Sequence, residues 1–473
     1  MSAPVDVCIL GGGPAGMAAA VMAAENGLSV AVLDERQSAG GQIFHAIETG
    51  PFSKGALLGP DYAQGHSLAA AFQAENVTRL LGARVWRIDM TSTGGSARYI
   101  CSHRSSQLRF GHLILATGAM ERPLPFEGWT LPGVMTVGAA QLLLKGSATV
   151  PDGRIVLAGN GPLLLLFANQ LLSQGVRILA ILDTAPERSP LALASRHLGA
   201  LFGNRDKVIK GLRMQARIRA AQIPVYRKVS DLHASGDGRI QSISFRVDGK
   251  EEYQVEVDSL LIHEGIVPNT QVSRALGCAH VWDAGQQCLR PELDRYGESS
   301  IDDVFIVGDG AALRGAIAAP ASGQIAVGRI LERRGVASPG SRAVVRKAET
   351  VLARERAFRP FLDELYPPRL ATSRLSDETI ACRCEAVPAS AVRAAIADGA
   401  IGPAQAKVFS RCGMGACQGR ICGSITAGIL ADAMNRAVTA ADAPHVRFPL
   451  KPLSLAEMAE RVSAFDKDNH HAA

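Results

Sequence analysis

From Val5 to Arg36 the chain reads VDVCILGGGPAGMAAAVMAAENGLSVAVLDER, which is strand, glycine turn, helix, strand. Gly11, Gly13 and Gly16 form G-x-G-x-x-G directly after the apolar run Val5 to Leu10, and Asp34 closes the second strand. Glycines at those positions let a pyrophosphate approach the backbone at the helix N-terminus, and the carboxylate can accept the ribose hydroxyls. The glycine pattern alone is weak. With strand, helix and terminal acid all in place it predicts a dinucleotide site in an α/β sheet.

Two later strands point back to the same turn. HLILATGAMERP ends a buried strand in Ala116, Thr117 and Gly118, and IDDVFIVGDGAA ends another in Gly308 and Asp309. Together they resemble the paired signatures of flavoproteins with two dinucleotide-binding domains, in which the late Asp hydrogen-bonds the ribityl chain of FAD. AGGQIF, with Gly41 and Gln42, resembles the stretch that lies along the flavin in that group. Asp309 could also be an ordinary strand-terminal turn residue, since Asp-Gly is a common turn. Between the two late signatures, GRIVLAGNGPLLLLFANQLLSQGVRILAILDTAP repeats the strand, turn, helix, strand order with Gly159 and Gly161. Leu164 replaces the third glycine, where close helix–strand packing calls for a small side chain. Asp183 would suit a ribose 2′-hydroxyl better than a 2′-phosphate. The expectation is a retained fold around a vestigial nicotinamide-nucleotide pocket.

Because Asp309 belongs with the first glycine turn, the first domain must be discontinuous. The expected organisation is a dinucleotide domain of residues 1–127 and 294–334, a second one of residues 128–293, a helical linker at 335–375, a cysteine-rich domain at 376–440 and a tail at 441–473. Alternation around Gly236, Asp237 and Gly238 reads as a hairpin within the second domain. GVASPGSRAVVRK reads as a flexible connection by its Gly, Ser and Pro content.

Four of the nine cysteines are Cys382 and Cys384, a C-x-C pair, and Cys417 and Cys422, a C-x4-C pair. Soft thiolates around a small metal centre suit redox-active iron. Helical periodicity after each pair places both in loops ahead of helices, whose free N–H groups favour an anionic centre. RCGMGACQGRICG resembles the [2Fe-2S] domain of bacterioferritin-associated ferredoxin. Zinc is the bland alternative, although structural zinc usually prefers C-x2-C pairs. Cys412 is expected to be a buried neighbour rather than a ligand, with an exchange of roles with Cys417 left open.

Composition narrows the function classes. Of 473 residues, 47% are hydrophobic and 20% charged, as in a globular protein of about three domains. The net charge of +6 is dispersed, with no basic-aromatic stripe, so no nucleic-acid partner is expected. No leader-like or membrane-spanning stretch is read, and a cytoplasmic location is expected. The second domain has no C-x2-C for dithiol chemistry, and no nucleophile, base and orienter set is legible, so no catalytic residue is assigned. His45, His66, His112, His263 and His280 occur singly; His45, beside GGQIF, is the one to watch. Glu264 ends the strand SLLIHEG, where a solvated strand-end carboxylate is at least as good a reading as a flavin neighbour.

GGGPAGMAAA, GGQIF, LPGVMTVGAAQLLLK, GNGPLLLL, CRCE, RCGMGACQGR and the tail FPLKPLSLAEMAE resemble, over nearly the whole chain, one group. These are the alpha (A) subunits of opine oxidases for octopine and nopaline, of the related D-hydroxyproline and proline dehydrogenases, and the B subunit of hydrogen cyanide synthase. The resemblance implies two Rossmann-like α/β domains of the glutathione/thioredoxin reductase type and a small helical [2Fe-2S] domain. It extends the expected FAD site to Pro14, Ala15, Glu35, Arg36 and Val85. In that group an FAD-containing beta subunit of the glycine/sarcosine-oxidase type oxidises the C–N bond of an opine or amino acid. The alpha subunit takes the electrons onward to an acceptor such as a quinone, through which the complex would meet the membrane. Some relatives hold FMN at the subunit interface, a small third subunit, or another adenine nucleotide, ATP, in the FAD site. Two other readings stand beside this one: a self-sufficient NAD(P)H-dependent reductase, and a non-catalytic structural subunit with zinc on the cysteines.

Overall fold

The computed structural model describes residues 4–52, 58–74, 76–369, 372, 375–459 and 463–464. Residues 1–3 and the end of the expected tail lie outside the described residues. Val5–Leu10, Val30–Asp34 and the second half of Arg104–Leu115 are almost continuously apolar, and they form the buried parallel centre of an eight-stranded sheet. Val77–Leu81 flanks Val30–Asp34, and Val304–Ile306 pairs in parallel with Leu113 to Leu115. That pairing brings Gly308 and Asp309 to the ends of the strands that carry the first glycine turn. The first half of Arg104–Leu115 alternates instead and belongs to an antiparallel meander with Gly94–Cys101 and Arg84–Thr91.

The helix Pro14–Glu25 starts on proline and packs against Ala318–Arg333. A β-carbon on Gly16 would collide with the carbonyl oxygen of Gly11, so the helix can lie this close to the turn only with glycine there. The second sheet is parallel throughout, in the order Val225–Tyr226, Ile178–Asp183, Ile155–Asn160, Ser259–Glu264, Val134–Thr136. The expected hairpin is present as Val229–Ser235 and Ser242–Val247, with Glu251–Glu256 as a third strand. Ala119–Glu121 and Ile266–Pro268 pair antiparallel where the chain passes between the two domains.

Two local expectations need correction. GVASPGSRAVVRK is largely helix: Ser338 and Ser341 form a capping box, Pro339 takes the first helical position, and the helix runs for 27 residues to Leu365. Proline at that position is a start signal rather than a break. The C-x-C pair does not sit directly ahead of a helix either. Cys382 ends the strand Ile380–Cys382, which turns back through Val387–Pro388 before the helix Ala389–Ala397. Cys422 opens the helix Cys422–Ala433.

The cysteine-rich domain docks through backbone acceptors: Trp129 Nε1 donates to the Ile380 carbonyl at 2.7 Å, and Leu450 N to that of Trp86 at 3.0 Å. Lys451 pairs with Glu35 at 2.8 Å. Among the described residues no helix is long and apolar enough to cross a membrane.

Candidate cofactor sites

One cavity of about 2680 Å³ runs from the first glycine turn into the second domain. A single small-molecule site occupies about 300–1,000 Å³, so there is room for more than one cofactor. Gly11, Gly13, Pro14, Ala15, Asp34, Glu35 and Arg36 line one end, followed by Gly41, Gln42, Val85, Ala116, Thr117, Gly118, Gly308 and Asp309. Gly16 is not in the wall; it serves the helix contact. Asp34 Oδ2 accepts from Gly12 N at 2.6 Å and Oδ1 from Arg36 N at 2.8 Å, while burial raises its pKa. Asp309 Oδ1 accepts from Arg314 N at 3.0 Å and Gly315 N at 2.9 Å, and burial raises its pKa too. No partner for Asp309 Oδ2 exists among the described residues, which leaves it for a ligand hydroxyl.

Sequence reasoning missed Lys145. Its ammonium, 5% exposed, donates to the carbonyls of Gln42 and Ile43 and to Gln141 Oε1, each at 3.0 Å. Burial, then the Arg36 charge, holds its pKa down to about 8. Gln42 Nε2 donates to the Ala119 carbonyl at 2.8 Å, so the GGQIF segment is tied to both domains. Arg36 Nη1 donates to the Gly41 carbonyl at 3.2 Å and to His45 Nδ1 at 2.9 Å. Burial and that guanidinium lower the His45 pKa.

The second half of the cavity holds Gly159, Asn160, Gly161 and Asp183. Leu164 is 3% exposed, packed into the core. Glu264 is no solvated strand end: it is 2% exposed, accepts from Thr184 Oγ1 and, at 3.1 Å, from Asn160 Nδ2. Burial pushes it up to about 6. Asn160 Nδ2 also reaches the Pro367 carbonyl at 3.3 Å. Tyr366 is held up at about 12 by burial and then by the charge of Asp183, and Arg369 donates to the Val229 carbonyl at 3.2 Å. The chain beyond the long helix therefore lies over the place where a ribose would meet Asp183. Beneath it, His263 Nδ1 and Glu121 Oε1 are 2.8 Å apart, and buried Arg122 donates to the carbonyls of Glu264, Gln287 and Gln286. The only sequence signal for these groups was MER, directly after the Ala-Thr-Gly strand end.

The sulfurs of Cys382, Cys412 and Cys422 lie within 4.8 Å of one another, all buried. Cys384 is exposed and within hydrogen-bonding reach of the backbone and thiol of half-buried Cys417. The four predicted cysteines thus fall into an inner pair, Cys382 and Cys422, and an outer pair, Cys384 and Cys417. Cys412 sits beside the inner pair, 3.2 Å from Thr426 Oγ1. A hydrogen bond from Cys422 holds Cys412 down to about 7 and pushes Cys422 up. A β-carbon on Gly415 would strike that of Cys384. Two thiol pairs in a close glycine-lined cradle fit a two-iron centre.

Met120, Asn269, Gln271 and Arg420 line both the large cavity and a pocket of about 80 Å³ beside the Gln418 to Arg420 turn. One layer of side chains therefore separates cavity from thiols. Arg420 Nη1 donates to the Cys417 carbonyl at 3.1 Å, and Nη2 to that of Leu450 at 2.7 Å.

Two family models match the chain: pyridine nucleotide-disulphide oxidoreductase over residues 5–328, and the sarcosine oxidase A3 domain over residues 382–461. The alpha (A) subunit of opine oxidase from Agrobacterium tumefaciens (strain Ach5) is 40% identical over 466 residues, covering 96% of this chain and 91% of that protein. Its counterpart in Rhizobium meliloti (strain 1021) is 37% identical, covering 97% and 99%. Hydrogen cyanide synthase subunit HcnB of Pseudomonas aeruginosa is 33% identical, covering 94% and 96%. Among solved structures, L-proline dehydrogenase from P. horikoshii superposes with a TM-score of 0.72 at 19% identity, over 97% of this chain and 80% of that one. T. acidophilum thioredoxin reductase gives 0.51 at 21% identity, over 71% of this chain and 100% of that one. These structural likenesses show the fold.

Proposed function

Because the chain belongs to the pyridine nucleotide-disulphide oxidoreductase family, and within it to that of the opine oxidase alpha (A) subunits, we propose that this oxidoreductase is the flavin and [2Fe-2S] alpha subunit of a heteromeric dehydrogenase. A partner beta subunit with its own FAD oxidises the C–N bond of an opine or an amino or imino acid, and this chain takes the electrons onward. Asp34 accepts the ribose hydroxyls of FAD, and Asp309 the ribityl chain. Gly11 and Gly13 admit the pyrophosphate, and Thr117 with Gln42 borders the ring. Cys382, Cys384, Cys417 and Cys422 hold the cluster. The cofactors supply the redox chemistry, while the protein binds, orients and tunes them. The observation that carries this reading is the wall of Met120, Asn269, Gln271 and Arg420, one residue thick, between the dinucleotide cavity and the thiols. The size of the cavity leaves room for FMN toward the partner.

The test is an ultraviolet–visible spectrum with iron, zinc and released-nucleotide analysis, on the chain alone and with its co-purified partner. Flavin bands, a brown shoulder and about two irons per chain are expected, with bleaching by an opine or imino acid only when the partner is present. Released ATP in place of FAD would reassign the nucleotide, and zinc without iron would overturn the cluster. Cys→Ser at any of the four ligands removes iron, whereas Cys412→Ala keeps it.

A further inference from the structure

The cysteine-rich domain has two unlike sides. On one, Gln418, Gly419 and Arg420 abut the shared wall. On the other, Cys384 is exposed under Gly415, so Met414 and Ala416 flank it at the surface. The ion pair of Arg411 with Glu385, at 3.0 Å, brings the end of the helix Pro403–Ser410 to the same edge. Val408 and Phe409 come with it, 71% and 59% exposed, beside Met414 at 40%. Large apolar side chains in water, on a domain that already buries Val392, Ala395, Ala406 and Ile425, mark an interaction surface. The rim is basic. Arg383 and Lys407 are exposed and have no carboxylate partner among the described residues, and Arg411 already engages Glu385.

We propose that this face docks the electron acceptor of the assembly, a one-electron redox protein with an apolar centre ringed by carboxylates. The inference rests on the thiols holding a [2Fe-2S] centre. Electrons reach that centre from the cavity side and leave past Cys384. One electron passes from the reduced centre to the oxidised metal or flavin of the acceptor, and no atom or proton is transferred. Val408, Phe409 and Met414 exclude water at the contact, while Arg383 and Lys407 steer an acidic partner onto it.

Cytochrome c in its native basic form and in a succinylated acidic form offers one haem on two opposite surfaces. In stopped flow, the reduced chain is expected to reduce the succinylated form at least about tenfold faster at low salt, an advantage lost at high ionic strength. Val408→Ser with Phe409→Ser should slow that reaction at least about fivefold, with iron content and visible spectrum unchanged. Equal rates for the two cytochromes, or for parent and variant, would overturn the proposal. So would a parent dimer that the double variant converts to monomer, which assigns the face to a second copy. Sedimentation of oxidised chain with each cytochrome reads the surface without the centre. Should the chain carry no iron, the cluster reading fails on its own, and preference for the succinylated form still decides the docking face.

Discussion

Glu264 is a carboxylate held where water does not reach, and that has a thermodynamic consequence. Its pKa rises from the ordinary 4.5 to about 6 through burial, a difference of about 2 kcal/mol. Between those values the folded chain binds more proton than the unfolded one, so this group lowers stability as pH rises through the window and throughout the range above it. Glu264→Gln keeps a hydrogen-bonding amide against Thr184 and Asn160 without the charge. The variant should therefore gain up to about 2 kcal/mol at pH 8 and much less at pH 5. Melting curves at the two pH values check this; an equal shift at both would contradict it. Lys145 gives the complementary case. Lys145→Met removes three hydrogen bonds that hold Gln42, Ile43 and Gln141. At a net value of about 1 kcal/mol for the group of contacts that matters to the ligand, FAD affinity should fall roughly five- to tenfold, read by flavin fluorescence on titration. The glycines and acids of the site were legible because their reasons are local, a turn or a strand end. Lys145 was not, since it acts on carbonyls about a hundred residues earlier in the chain.

At the scale of elements, the second dinucleotide unit shows how much a pattern can reveal. Leu164 in place of the third glycine pointed to a vestigial pocket, and the side chain is indeed packed in the core. What the pattern could not show is the cover. The long helix Pro339–Leu365 delivers Tyr366 and the Pro367 carbonyl to Asp183 and Asn160, and its Gly, Ser and Pro composition disguised its capped start as a linker. We expect NADH to leave the flavin of the isolated chain oxidised, with no binding below about 1 mM by calorimetry. Tyr366→Ala combined with Leu164→Gly should strengthen NADH binding at least about tenfold, because it removes both the cover and the misfit at the turn. If the parent chain is bleached rapidly by NADH, the pocket works and this account of its closure is wrong.

For the molecule as a whole, the chain order hides the decisive contact. The thiols and the dinucleotide turn lie at opposite ends of the sequence, joined through a helix that faces neither, yet Arg420 sits in the wall between them. Its guanidinium is half-buried, donates to the Cys417 carbonyl at 3.1 Å, and has its own pKa lowered chiefly by burial. A positive charge that close favours the more negative, reduced form of a centre on Cys417. Removing it by Arg420→Met should lower the midpoint potential. An electrostatic loss of about 1 kcal/mol corresponds to about 40 mV for one electron. Arg420→Lys should restore most of that, because it keeps the charge and sacrifices only the forked hydrogen bonds to Cys417 and Leu450. A redox titration followed by electron paramagnetic resonance separates the charge from the packing. If Met and Lys shift the potential equally, Arg420 acts by holding the Cys417 turn against Leu450 rather than by its charge. If neither shifts it while the iron content stays intact, the wall does not tune the centre.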